Sequence, residues 1–366
     1  MNRSIWISIC LVVILSLNAC QPAMQALQSS PTDTAEFLVN DALGRIVTFQ
    51  DPPQRIALAG KANLLIADAL YLFPQAVEQI GVLGKGTQGT GNFLAIVDPK
   101  FDAKPKLEND VGPEQVAAEK PDAVVLKSYL ADTLGKPLES IGIPVIYLDF
   151  ETPEQYYRDL KTLGQLFQDD ERAQEVAQFY QSRVDRVSQS VSGLPDEEKP
   201  NVLLLYYNDK DGEVAFNVPP MSWMQTIMVD MAGGIPVWED ANLGQGWTKV
   251  SLEQIAAWDP DQVFIISYFK PVDEVVQGLK TDPQWQALRA TQEGKLYGFA
   301  GDLLSWDQAD TRWILGLTWL AGKLHPDRFP ELDMLSETKT FYQQLYGLDE
   351  TEFQQSIQPK LSGDLP

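Results

Sequence analysis

Few side chains in this 366-residue chain are suited to covalent or metal chemistry: Cys10, Cys20 and a single histidine, His325. Cys10 lies in an apolar run, Ile5 to Leu17, interrupted only by Ser8 and Ser16 and preceded by Arg3. The run falls short of the roughly 20 apolar residues that a bilayer span requires. It has the form of a signal-peptide core over residues 1–19. It ends in Leu17-Asn18-Ala19-Cys20. A branched apolar residue, small residues and then cysteine predict a diacylglyceryl group on the Cys20 thiol, cleavage before it, and acylation of the new amine. Two or more acyl chains anchor stably where one does not. The Gln-, Ser-, Pro- and Thr-rich stretch that follows, to about residue 36, reads as a flexible tether. With Cys10 discarded, no disulfide, cysteine metal site or cysteine nucleophile is expected. Bare zinc or manganese sites draw on several histidines with carboxylates. His325, alone and beside Pro326, is therefore expected on the surface without a metal role.

Other catalytic patterns are missing. There is no Gly-x-Ser-x-Gly, no His-Glu-x-x-His and no Gly-x-x-x-x-Gly-Lys-Ser/Thr. Gly84 to Gly89 is glycine-rich with the wrong spacing. Paired carboxylates of the glycosidase kind remain open among 51 acidic residues, so a secreted carbohydrate-active enzyme stands as a distant alternative. The formal charge of −23 argues against a nucleic-acid partner, because a phosphate backbone is repelled. No second apolar run is long enough to cross a bilayer, so membrane contact is expected through the lipid alone.

One carboxylate pattern does carry information. Glu114-Gln-Val-Ala-Ala-Glu-Lys-Pro-Asp-Ala-Val124 matches Glu253-Gln-Ile-Ala-Ala-Trp-Asp-Pro-Asp-Gln-Val263 at seven of eleven positions. Each copy reads as a helical turn, a Pro-Asp turn and a buried strand. Internal repetition of this kind points to duplicated structural units.

The elements around the repeat agree. Strands are predicted at Arg55–Gly60, Ile80–Leu83, Ala123–Leu126 and Ile143–Leu148, with a helix over Asn63–Phe73. They recur at Asn201–Tyr207, Val263–Ile266 and Leu296–Phe299, with helices over Met224–Ala232 and Thr311–Leu324. Runs such as Val-Ile-Tyr-Leu lack alternation, as strands covered on both faces do. The expected fold is α/β: two Rossmann-like lobes with parallel sheets, residues 37–167 and 196–366. A helix over about 168–195 joins them, and Gly164 and Asp169-Asp170 divide it from the preceding helix. The ligand cleft is expected between the lobes.

With these features the chain resembles the periplasmic-binding proteins of ABC importers for iron-siderophores, cobalamin and haem. The resemblance rests on the paired Glu…Pro-Asp motifs, the long linker helix and Trp247-Thr-Lys-Val-Ser251. The tail from Trp306-Asp307 through Arg312-Trp313 to His325-Pro326 contributes as well. It implies a monomeric receptor, not an enzyme, that needs no cofactor and delivers a metal chelate, foremost an iron(III)-siderophore, to permease subunits driven by a cytoplasmic ATPase. Cobalamin, haem, molybdate or tungstate are alternatives on the same fold. The resemblance also implies that Glu114 and Glu253, one per lobe, dock on permease arginines, for which a carboxylate offers a bidentate seat.

In open α/β sheets ligands lie outside the carboxyl ends of strands. That rule nominates Lys61, Asn63, Lys85, Lys127 and Tyr129 in the first half. In the second it nominates Tyr207, Trp223, Trp247, Tyr268 and Trp306, to which the resemblance adds Arg312. The aromatics would pack on a chelate's organic shell. Lys61, Lys85, Lys127 and Arg312 would neutralise its acidic groups. By the resemblance, Trp247 corresponds to a cleft aromatic of corrinoid binders and Arg312 to a basic residue near the cleft.

Overall fold

The computed structural model describes residues 36–61, 63–86, 91–209, 212–241 and 244–365. The expected signal peptide, Cys20 and its tether lie outside the described residues, except for residue 36.

The described chain opens with a hairpin that the sequence reading did not anticipate, β1 (Phe37–Asn40) and β2 (Ile46–Phe49). Asp41 makes the turn: its Oδ1 accepts from the Leu43 and Arg45 amides at 3.0 Å each. Thr162 holds the hairpin in place by donating to the Asn40 carbonyl at 2.6 Å.

Five strands build the first sheet: β3 (Ile56–Leu58), β4 (Ile80–Gly84), β5 (Lys106–Leu107), β6 (Ala123–Lys127) and β7 (Val145–Leu148). Their order is β5-β4-β3-β6-β7 and every pairing is parallel. β3, β6 and β7 are buried throughout, which explains their unbroken apolar runs.

The second sheet comprises β8 (Asn201–Asn208), β9 (Ala215–Val218), β10 (Ile235–Pro236), β11 (Thr248–Val250), β12 (Gln262–Ile266) and β13 (Leu296–Gly298). Its order is β11-β9-β8-β12-β13, with β10 also beside β8. β8-β12-β13 repeats the arrangement of β3-β6-β7. The expectation of a second all-parallel sheet is corrected here: β9 runs antiparallel to both β8 and β11, so this sheet is mixed. A short return from β8 into β9 replaces the helical crossover that a parallel neighbour needs.

The lobes are joined as expected. A helix over Pro153–Phe167 ends where Gln168 turns left-handed, at φ 54°. The chain thus breaks just after Phe167 rather than at Gly164. Asp169 caps the next helix by accepting from the Arg172 amide at 3.0 Å. That linker helix, Asp170–Val191, has 22 residues and spans about 33 Å. Arg172 ties it to both ends of the fold, donating to the Leu72 carbonyl at 2.8 Å and the Leu345 carbonyl at 2.7 Å. Tyr156, Tyr180 and Trp313 pack ring to ring and lock three helices together, with centroids 5.1 to 5.8 Å apart.

The buried helix Trp313–Leu324 also was foreseen, starting two residues late. Gly316 allows it to lie against the Trp306 carbonyl, which would sit 2.2 Å from any Cβ there. His325 is not on the surface. It is 8% exposed and its Nε2 lies 3.1 Å from the Gly233 carbonyl, and burial pushes its pKa down. Among the described residues no helix is long and apolar enough to cross a membrane.

Candidate functional site

A cavity of about 230 Å³ opens between the lobes, at the carboxyl ends of the strands. The first lobe supplies Leu65 and Glu151, the latter three residues beyond β7. The second supplies Trp223, Gln225, Trp247, Tyr268 and Gln308. Trp223 immediately precedes the helix Met224–Met231, Trp247 the strand β11, and Tyr268 lies two residues after β12.

The aromatic wall is a connected set. Trp223 and Trp247 meet edge to face at 5.5 Å. Tyr206 lies 5.0 Å from Trp247 and 4.8 Å from Tyr268. Beneath this wall sits Asp307, wholly buried, receiving the Tyr268 hydroxyl at 2.6 Å and Gln225 Nε2 at 3.0 Å. Burial pushes the Asp307 carboxyl up to about 6, against the pull of Ser305, Tyr268 and Gln225. Such an arrangement gives a flat ligand face two half-buried indoles and holds their neighbour Tyr268 in one orientation.

Of the nominated residues, Trp223, Trp247 and Tyr268 line this one cavity. Tyr129 stands 59% exposed after β6, its hydroxyl donating to the Lys61 carbonyl at 3.0 Å. Lys61 is exposed, and Lys85 is exposed and paired with Glu108. Asn63 is instead buried, donating to the Gly60 carbonyl at 2.7 Å, and borders a separate cavity of about 130 Å³. Tyr207 turns away, into a groove of about 620 Å³ that takes all its walls from the second lobe. That groove is larger, but it lies wholly within the second lobe, away from the carboxyl ends of the first sheet. Lys127 was expected to face the ligand; its side chain is 1% exposed and donates to the Asp149 carbonyl and to Glu151 Oε1, the latter at 2.5 Å.

Two expectations are corrected outright. Trp306 and Arg312 have no surface at all. Arg312 sits among three carboxylates, Asp68 at 2.5 Å, Asp302 at 3.0 Å and Asp310 at 3.4 Å, with every side chain fully buried. Trp306 Nε1 donates to Asp302 at 3.0 Å, and Tyr342 donates to the same oxygen at 2.5 Å. The guanidinium also lies over the Phe93 ring, 4.4 Å from its centroid. Asp68 belongs to the helix Leu64–Leu70 of the first lobe, so this cluster ties the lobes together. Burial raises the Asp310 carboxyl to about 7, partly offset by Arg312.

Sequence reasoning missed Leu65, Gln225, Glu151 and Gln308. Asp307 was visible only as the end of the loop from Asp302 and as part of the Trp306-Asp307 pair. A single neutral amide such as Gln225 or Gln308 leaves no pattern to find.

Glu114 and Glu253 occupy the same place in the two halves. Each is exposed at the second position of a short helix, Pro113–Ala118 and Leu252–Trp258, which leads into β6 or β12. A carboxylate is favoured there by the helix dipole. Glu253 titrates below the ordinary carboxylate range through hydrogen bonds from its own amide and from Ser251.

Residues 72–303 match the model of a family described as periplasmic binding protein. The chain is 24% identical to the molybdate-binding protein MolA of Haemophilus influenzae over 337 residues, covering 85% of this chain and 91% of that one. It is 25% identical to the vitamin B12-binding protein of Pectobacterium carotovorum over 219 residues, covering 56% of this chain and 75% of the other. Among solved structures, a periplasmic solute binding protein of Veillonella parvula superposes with a TM-score of 0.71 at 23% identity, over 88% of this chain and 97% of that one. MolA bound to molybdate superposes with a TM-score of 0.70 at 18% identity, over 85% and 98%. The fold is therefore that of the two-lobed binding proteins, and the match covers more than half of the chain: it belongs to the periplasmic binding protein family, whose members are extracytoplasmic solute-binding proteins rather than enzymes.

Proposed function

We propose that this chain is the lipid-tethered receptor of an ABC importer, and that it captures a small metal-bearing ligand, a chelate or a metal oxyanion, in the cavity between its lobes. The observation that carries this reading is the cavity itself, with a connected aromatic wall from one lobe and Leu65 and Glu151 facing it from the other. An apolar wall with a few fixed polar groups is the usual construction of a small-molecule site. The relatives support the ligand class, since one is named for molybdate and another for vitamin B12.

Two chelate sizes have different support. A siderophore or corrinoid suits the half-buried indole faces of Trp223 and Trp247, but would need the cleft wider than about 230 Å³. A molybdate-like oxyanion suits the present volume and the relative that spans most of this chain. Delivery uses Glu114 and Glu253 as paired docking points on the permease. Cys20 carries the lipid that keeps the receptor at the membrane.

Native mass spectrometry of the protein as purified tests the ligand class first, followed by titration with molybdate, ferric citrate and vitamin B12, monitored by tryptophan fluorescence. Binding of at least one of the three at micromolar concentration is expected. Silence toward all three, together with turnover of a glycan, would overturn the reading.

A further inference from the structure

Lys127 and Glu151 form an ion pair of unequal halves. The lysine side chain is 1% exposed, whereas that of the glutamate is 46% exposed. Glu151 lines the interlobe cavity and Lys127 sits behind it. A buried ammonium cannot be left without an anionic partner. A half-exposed carboxylate already has water on one side, so it can leave once another anion takes its place on the lysine. The lysine therefore requires an anion at this spot, but not Glu151 in particular.

Gln308, on the facing lobe, adds an independent sign. It is 5% exposed, and its Nε2 is buried with no hydrogen-bond partner among the described residues. A buried amide donor left unpaired is costly, and its pairing is a gain reserved for whatever supplies an acceptor. Gln308 borders the interlobe cavity and also a neighbouring one of about 220 Å³. By contrast Tyr268 and Gln225 direct their donors at Asp307, away from any ligand.

We propose that Glu151 is a built-in stand-in for the ligand, and that capture is an exchange of anions. A negatively charged oxygen of the ligand displaces the Glu151 carboxylate from Lys127, and a second oxygen accepts from Gln308. The ligand class is thus an anion with at least two accessible oxygens, either a bare metal oxyanion or a chelate with free carboxylate or similar groups. This rests on the reading of the cavity as the ligand site. Lys127 and Gln308 are the contacts that select charge, and Glu151 sets the affinity by competition.

The test compares wild type with Glu151→Gln, Gln308→Leu and Lys127→Met, each titrated with sodium molybdate, ferric citrate and vitamin B12 under tryptophan fluorescence. Removing the competing charge in Glu151→Gln is expected to tighten binding of the anionic probe about tenfold. Gln308→Leu is expected to weaken it about tenfold. Lys127→Met is expected to abolish it, with circular dichroism confirming the fold. Molybdate and ferric citrate distinguish the bare oxyanion from the chelate. Glu151 is half exposed, so its variant remains informative even where Lys127→Met does not fold. Unchanged or weaker anion binding in Glu151→Gln would overturn the proposal. So would wild-type protein that takes vitamin B12 and neither anion, although the wider reading of a metal-ligand receptor would then survive. No binding of any probe would sink both.

Discussion

Replacing Arg312 by methionine should destabilise the protein severely, although no ligand contact is lost. The guanidinium is the common partner of Asp68, Asp302 and Asp310 at 2.5, 3.0 and 3.4 Å, and all four side chains are wholly buried. Methionine fills much of the volume but supplies no charge, so the three carboxyl groups lose the cation they share. Removing one partner of a buried ion pair costs about 3–5 kcal/mol. Asp68 and Asp310, whose carboxyls burial already pushes up, limit the damage by taking up protons, which is easier in acid. The loss should therefore be largest near pH 8 and visibly smaller near pH 5. Urea unfolding read by intrinsic fluorescence suits the question, because Trp238, Trp306, Trp313 and Trp319 are fully buried. A loss below about 1 kcal/mol at pH 8 would refute the view that this cluster ties the lobes together.

Asp310→Asn probes the same cluster from the other side. Its folded carboxyl is raised to about 7, whereas an unfolded one titrates near 3.9, so its ionisation lowers stability as pH rises between those values, by at most about 1.4 kcal/mol per pH unit. The asparagine variant should flatten that decline, as seen in urea midpoints from pH 4 to 8; parallel curves would contradict the assignment. Glu114→Arg combined with Glu253→Arg should abolish uptake by whole cells while leaving ligand titrations unchanged, and an equal loss of affinity would place these residues in the site or the fold. Trp247→Ala removes the indole that touches Trp223, Tyr206 and Tyr268, and should weaken ligand binding by at least tenfold in fluorescence titration. Unchanged affinity would reduce Trp247 to packing.

What could be read from sequence followed the strength of local patterns. β6, β7, β8 and β12 are continuous apolar runs, and the linker helix repeats apolar residues at helical spacing for 22 residues, so each was visible without its surroundings. β9 and β11 have four and three residues and mixed burial, and their antiparallel pairing depends on partners the local sequence does not name. The β1–β2 hairpin was hidden for the same reason. At the site, Trp223, Trp247 and Tyr268 were legible from their places next to element ends, but the same reasoning put Trp306 there, and its ring is wholly buried. Arg312 was misread because nothing near it shows that carboxylates from positions 68 and 302 converge there. Lys127 was named for its charge, but its partner Glu151 lies three residues past the end of the next strand, β7. Gln308 escaped since a single amide has no periodicity, charge or spacing to betray it.

The Arg312 cluster and the Arg172 tie leave the lobes little room to differ between the empty and the loaded receptor. On the proposed docking scheme this has a kinetic consequence. An empty receptor would present nearly the same pair of glutamates to the permease as a loaded one, and the two would compete for a single seat. Transport would then follow the fraction of receptors occupied rather than the ligand concentration alone. Making more receptor without more ligand would slow uptake instead of raising it.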